Sequence, residues 1–125
     1  MTVKEFINQV FVNEYGRIVD GGFHYISFAL IGLGIEFLGA CLDSKTFNRR
    51  GQSEARFTNA VKQLFPKKYH PFSKALYRDL RNGFAHQFRP GFGFVLTHRA
   101  EAAQEGTTHL GSFGRKRGKR VNIPS

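Results

Sequence analysis

Three side chains near position 80 have the types and spacing to act together on a charged substrate. They lie in the segment Leu80-Arg81-Asn82-Gly83-Phe84-Ala85-His86-Gln87-Phe88. At about 100° per residue on a helix, Asn82 and His86 stack one turn apart. Arg81 falls roughly 140° around from His86 on the same count, but its long stem can swing toward the same groove. A guanidinium that is always charged can hold a phosphate. An imidazole titrates nearer neutrality than any other side chain and can carry a proton to or from a reacting oxygen. Together with an amide to orient them, these groups suit recognition and cleavage of a phosphodiester.

Other chemistries find less support. The histidines are His24, His70, His86, His98 and His109, and no two of them form an i, i+4 pair. With no CxxC pattern either, no metal site and no cofactor is expected. No serine stands in a Gly-x-Ser-x-Gly context, and Gly32-x-Gly34 and Gly91-x-Gly93 do not extend into phosphate-loop patterns. The single cysteine, Cys41, lies in an apolar run and has no internal partner for a disulfide, as expected of a cytoplasmic protein.

The elements that must carry Arg81, Asn82 and His86 are mostly helical. Thr2-Val3-Lys4-Glu5 has the spacing of a capping box, and Val3, Phe6, Ile7, Val10 and Phe11 follow at helical period. A first helix therefore runs to about Glu14 and stops near Gly16. Tyr25 to Leu42 is an apolar run whose one charge is Glu36. Its length is at the lower edge for a membrane span, but a central carboxylate costs at least ~2.5 kcal/mol in a bilayer. A central helix of a soluble bundle is the expectation. On it, Ala29, Gly32, Glu36, Gly39 and Ala40 share a face where another helix can approach closely, and Glu36 there needs an arginine or histidine partner.

Ser53 is placed to cap a third helix with the stripe Phe57, Ala60, Val61, Leu64 and Phe65. Pro66 and Pro71 bracket the basic loop Lys67-Lys68-Tyr69-His70. A fourth helix is expected from about Phe72 to Phe88, with Phe72, Leu76, Leu80 and Phe84 on its core side, ended by Arg89-Pro90-Gly91. Beyond it the texture changes. Phe92, Phe94 and Leu96 alternate as in a strand, with returns at Leu110–Phe113 and Val121–Ile123. The run Arg115-Lys116-Arg117-Gly118-Lys119-Arg120 has the character of a hairpin tip. The whole is expected to be one domain, 1–125: a mainly α bundle over 1–90 and a small basic β appendage over 91–125.

Charge is unevenly spread. The chain has 125 residues and a net charge of +10, yet residues 1–43 sum to −3 and the remainder to +13. A polyanion, most simply nucleic acid, is the expected partner. Arg78, Arg89, Arg115, Lys116, Arg117, Lys119 and Arg120 are the candidate contacts.

The segment from Leu80 to His86 resembles the motif of the HEPN superfamily, in which an arginine and a polar residue precede a histidine late in a four-helix bundle. The resemblance covers roughly residues 1–90. It implies metal-independent RNA cleavage of toxin or defence type. In it Arg81 would hold the scissile phosphate, His86 would serve as general acid or base, Asn82 would orient His86 or a phosphate oxygen, and Glu36 would orient Arg81. It also implies a homodimer, since one imidazole cannot remove one proton while supplying another. Related toxins that are modified by an antitoxin often carry a tyrosine two residues after the histidine. Here that residue is Phe88, so such regulation is not expected. Two further classes remain open: a non-catalytic RNA- or nucleotide-binding module, and a structural interaction protein.

Overall fold

A computed structural model describes residues 1–91, 94–97, 112–115 and 118–124. The chain is mainly helical. Helix α1 spans residues 3–20, α2 His24–Leu42, α3 Ser53–Leu64 and α4 residues 73–87, with a 3₁₀ turn over Lys67–Phe72 before α4. Backbone stretches β1 (Phe94–Thr97), β2 (Ser112–Arg115) and β3 (Gly118–Pro124) pair in the order β1-β3-β2, parallel for β1–β3 and antiparallel for β2–β3.

Helix α1 begins on the capping box. Glu5 N–H donates to Thr2 Oγ1 (3.1 Å), and Thr2 N–H donates to Glu5 Oε2 (2.7 Å). The helix does not stop near Gly16 as expected. It continues through Ile18 and Val19 to Asp20, because Gly16 sits in right-handed helical geometry and the apolar pattern resumes after it. Gly21 and Gly22 end it, Gly22 at φ +83°. Its middle, Ile7–Tyr15, is wound as a π-helix, which displaces side chains from the 3.6-residue register. None of α1's residues is fully buried. Phe11 and Phe37 stack at 5.6 Å, and Phe6 tilts onto Phe37 at 5.3 Å.

The core lies between α2, α3 and α4: Phe28, Ile35, Phe57, Val61, Leu80 and Phe84 are its largest members. Helix α2 is 19 residues long, with the length and composition of a membrane span: its most apolar 18-residue stretch has a mean hydropathy of 1.9, and 44% of that stretch is buried within the fold. Its small residues do what their spacing implied. A side chain at Gly39 would overlap the Arg56 backbone of α3, and one at Gly32 would stand 3.0 Å from Arg81 Cα of α4. Both partner helices therefore pack backbone-close onto α2.

Other expectations shift. The Lys67–His70 loop is the start of the 3₁₀ turn, and Pro71 falls inside it. Phe72 precedes α4 and is only partly buried, while Leu76, Leu80 and Phe84 form the core side. Leu64, placed in the stripe of α3, is half exposed, since the core of this helix stops at Val61. Ser53 is the first helical residue rather than the cap. Gln52 occupies the cap position, and the Ser53 hydroxyl is turned to Glu36 instead.

Candidate functional site

Where α2 crosses α4, Arg81 is held from three sides. Its backbone lies against Gly32, and its Nε is 2.9 Å from Glu36 Oε1. That N–H is not aligned on the oxygen and has no hydrogen-bond partner among the described residues, so the attraction is one of charge. Nη1 donates to Asn82 Oδ1 at 2.9 Å, and the guanidinium carbon lies 6.0 Å from the Tyr77 ring centre. Glu36 is itself fixed by the Ser53 hydroxyl, which donates to Oε1. The Arg81 and Glu36 side chains are 21% and 26% exposed, so the pair is neither sealed in the core nor free in solvent.

Arg81 and Asn82 sit in a second π-helical segment, Tyr77–Asn82, followed by the α-helical turn Gly83–Gln87. Such segments are rare, and many lie at functional sites. His86, on the last turn, is exposed, and among the described residues it makes no hydrogen bond or ion pair. Asn82 closes the π-helical segment, and His86 lies four residues on, near the end of the α-helical turn. The structure thus joins Glu36, Ser53, Tyr77, Arg81 and Asn82 in direct contact and leaves His86 one turn away, open to solvent.

The end of α4 is tied down next to His86. Phe88 adopts a left-handed conformation (φ 54°), which lets Arg89 N–H reach back to Gly83 O at 3.4 Å. A bulky residue is uncommon there. Tyr25 of α2 holds it: its hydroxyl donates to Phe88 O, and its ring meets those of Phe84 at 5.3 Å and Phe88 at 5.9 Å. The chain then folds over Gly83, and Gly91 N–H donates to Asp79 O at 2.7 Å.

Of the residues expected to meet nucleic acid, Arg78 is exposed but engages Asp79 twice, at 2.9 and 2.7 Å. The buried Asp79 carboxylate beside it raises the Arg78 pKa above its ordinary value. Arg89 is exposed and bonds to Gln87 at 3.0 Å. Arg115, Lys119 and Arg120 belong to β2 and β3 by their backbones, with Arg115 opposite Gly118. Lys116 and Arg117 lie outside the described residues, as do His98 and His109.

A second cationic centre escaped the sequence reading. Arg56, buried on α3, donates from Nε to Asp43 Oδ2 (2.7 Å), from Nη2 to Thr46 O (2.7 Å) and from Nη1 to Phe47 O (3.0 Å). It clamps the loop between α2 and α3. The hydrogen bond from Arg56 holds the Asp43 carboxyl below the usual carboxylate range. The sequence signal was present but weak: an arginine inside an apolar stripe, following a loop that opens with an aspartate. Among the described residues, no three His, Cys, Asp or Glu side chains gather as metal ligands would.

Compared with known proteins, the chain matches no family model, no curated protein and no solved structure.

Proposed function

We propose that this chain is a HEPN-type, metal-independent endoribonuclease that works as a homodimer. One observation carries the reading. A positioned arginine, backed by Glu36 and bonded to Asn82, lies at the foot of a helical turn whose histidine is exposed and, among the described residues, makes no hydrogen bond or ion pair. A phosphate drawn to the remaining N–H groups of Arg81 would gain charge-assisted hydrogen bonds as its transition state accumulates negative charge. His86 of one protomer would take the proton from the attacking ribose 2′-hydroxyl. His86 of the other would give a proton to the departing 5′-oxygen, so that each imidazole moves one proton. Glu36 and Ser53 are positioning residues that keep Arg81 aimed. The basic residues Arg115, Lys116, Arg117, Lys119 and Arg120 would contact backbone phosphate along the RNA.

The test is incubation of the purified protein with total RNA in the presence of EDTA, beside His86→Ala and Arg81→Ala. Cleavage by wild type should fall by about 10²–10⁴-fold in His86→Ala with folding unchanged. Equal and intact RNA in all three samples overturns the nuclease reading. A second reading, a non-catalytic RNA-binding module, draws on the same pair: Arg81 already faces Glu36 and Asn82, which lowers its pull on a phosphate. Salt-sensitive RNA binding without cleavage identifies that case.

A further inference from the structure

Two aromatic rings stand open to solvent near His86, and the proposed reaction does not use them. Tyr25, in the first turn of α2, is 48% exposed, and Phe88, just past α4, is 57% exposed. Both rest on the buried Phe84, whose ring meets Tyr25 at 67° and Phe88 at 79°. The Tyr25 hydroxyl, donating to Phe88 O, fixes its ring at one end. Phe88 itself is held at φ 54°, where glycine or asparagine would fit with less strain. Strain of this kind gathers at binding sites and active sites.

Charge indicates the ligand. Residues 80–100 include Arg81, His86, Arg89, His98 and Arg99 and no aspartate or glutamate. The acids nearest Tyr25 in sequence are Asp20 and Glu36. Asp20 closes α1, and Glu36 stands about 16 Å along α2 at helical rise, engaged by Arg81 and Ser53. We infer that Phe88, propped by Tyr25, stacks on an unpaired nucleobase, so that the substrate class is single-stranded RNA. The inference rests on the RNA reading above and deepens it. A ring face accepts any base, and a cation beside it meets the phosphate. A cationic guest, the usual occupant of an aromatic cage, would face Arg89 instead. A base inside a duplex is already stacked and paired, and reaching the ring costs it both. The two rings are 5.9 Å apart and tilted by 44°. A base slid between them would need about 7 Å, twice the ~3.4 Å stacking repeat, so it lies on the outer face of Phe88. His86 and Phe88 have Cα atoms at most about 7.6 Å apart, so the base and the reacting phosphate belong to one nucleotide or to neighbours.

The probes are hexathymidylate and its abasic tetrahydrofuran analogue, which carry equal phosphate charge. Neither has the 2′-hydroxyl that the proposed reaction attacks, so binding is read whether or not the chain cleaves RNA. Wild type should bind the base-bearing strand at least about fivefold more tightly, the low end for one stacked base. In Phe88→Asn, which suits the left-handed backbone but lacks a ring, that preference should fall by at least about fivefold. Phe88→Trp should keep it. Its indole, alone in a chain without tryptophan, should be quenched by hexathymidylate and not by the abasic strand. The inference is overturned by equal affinity for the two strands in wild type, by a preference that survives in Phe88→Asn, or by an indole that bound hexathymidylate leaves unchanged. It is also overturned if the preference falls only as Phe88→Asn loses self-association, which would assign the rings to a second copy of the chain. RNA cleavage in EDTA without base preference sinks this inference and leaves the nuclease reading standing. Base preference that depends on Phe88, without cleavage, does the reverse.

Discussion

Two alanine substitutions on one face of α2 should differ sharply, though each adds a single methyl group. At Gly39 an added Cβ would overlap the Arg56 carbonyl group and stand 2.8 Å from its Cα. These are backbone atoms of a helix, so relief requires α3 to move as a body. Phe57, Ala60 and Val61, all 0% exposed, would lose contacts together, and Arg56 would be drawn off Asp43. Overpacking alone costs about 1–3 kcal/mol, and lost core contacts add to it. The helix-propensity gain of alanine over glycine, about 1 kcal/mol, cannot offset that. Gly39→Ala should therefore lose more than about 3 kcal/mol, a large share of a typical domain's stability.

At Gly32 the same methyl would stand 3.0 Å from Arg81 Cα and 3.3 Å from its backbone nitrogen. A shift of a few tenths of an ångström relieves this, so the propensity gain cancels most of the cost. The net loss should be about 0–2 kcal/mol. Gly16→Ala, with nothing within 4 Å, is the control and should gain about 0.5–1 kcal/mol. Urea unfolding followed by far-ultraviolet circular dichroism gives the three midpoints, compared at equal slope. If Gly39→Ala unfolds within about 1 kcal/mol of wild type, or if Gly16→Ala is the most damaging, the close-packed α2–α3 contact is not the one described.

The Arg56–Asp43 pair makes acid stability readable. Asp43's folded pKa is lowered, chiefly by its hydrogen bond from Arg56, so its contribution is complete above the ordinary carboxylate range near about pH 4. That contribution is lost as pH falls through the lower folded value. Melting temperature against pH should drop below about pH 4 in wild type and drop less in Asp43→Asn, which starts from a lower plateau. Tyr25→Phe removes the donor to Phe88 O and should cost about 0.5–1.5 kcal/mol, with faster hydrogen exchange at the Arg89 amide than at core amides of α3. Glu36→Gln leaves Arg81 without its counter-charge. If Glu36 orients Arg81 for catalysis, RNA affinity should rise or hold while cleavage falls. A rise in both shows that Glu36 only restrains the arginine.

Much of the helical frame could be read from the order of residues, because its signals are local. A capping box, a period of three to four in apolar side chains, and a proline–glycine stop each act within a turn or two. Gly32 and Gly39 also announced themselves, since small residues at helical spacing leave few uses besides close approach. What could not be read depends on contacts distant in sequence. The π-wound segments in α1 and α4 shift side chains off the regular register, so a count at about 100° per residue misplaces them. Ser53 looked like a cap because its sequence neighbours ask for one. Its hydroxyl went to Glu36, seventeen residues earlier, because a half-buried carboxylate is the stronger acceptor. Arg56 was passed over because an arginine among apolar residues looks like an interruption until the carbonyls of Thr46 and Phe47 are seen around it.

The same distinction applies to the candidate site. Asn82 and His86 are four apart, about one turn of the same helix. Arg81 was expected to swing toward them by the length of its stem. It is the partner side chains that decide where it goes: Glu36 from α2 draws it toward the helix crossing, and Asn82 draws it toward its own turn. Both pulls are short-range and partly exposed, each worth about 1 kcal/mol or less once solvent screening is counted. A bidentate phosphate makes a stronger, charge-assisted contact than either. An arginine held this lightly can turn toward an incoming anion, and His86 stands on the next turn, open to solvent.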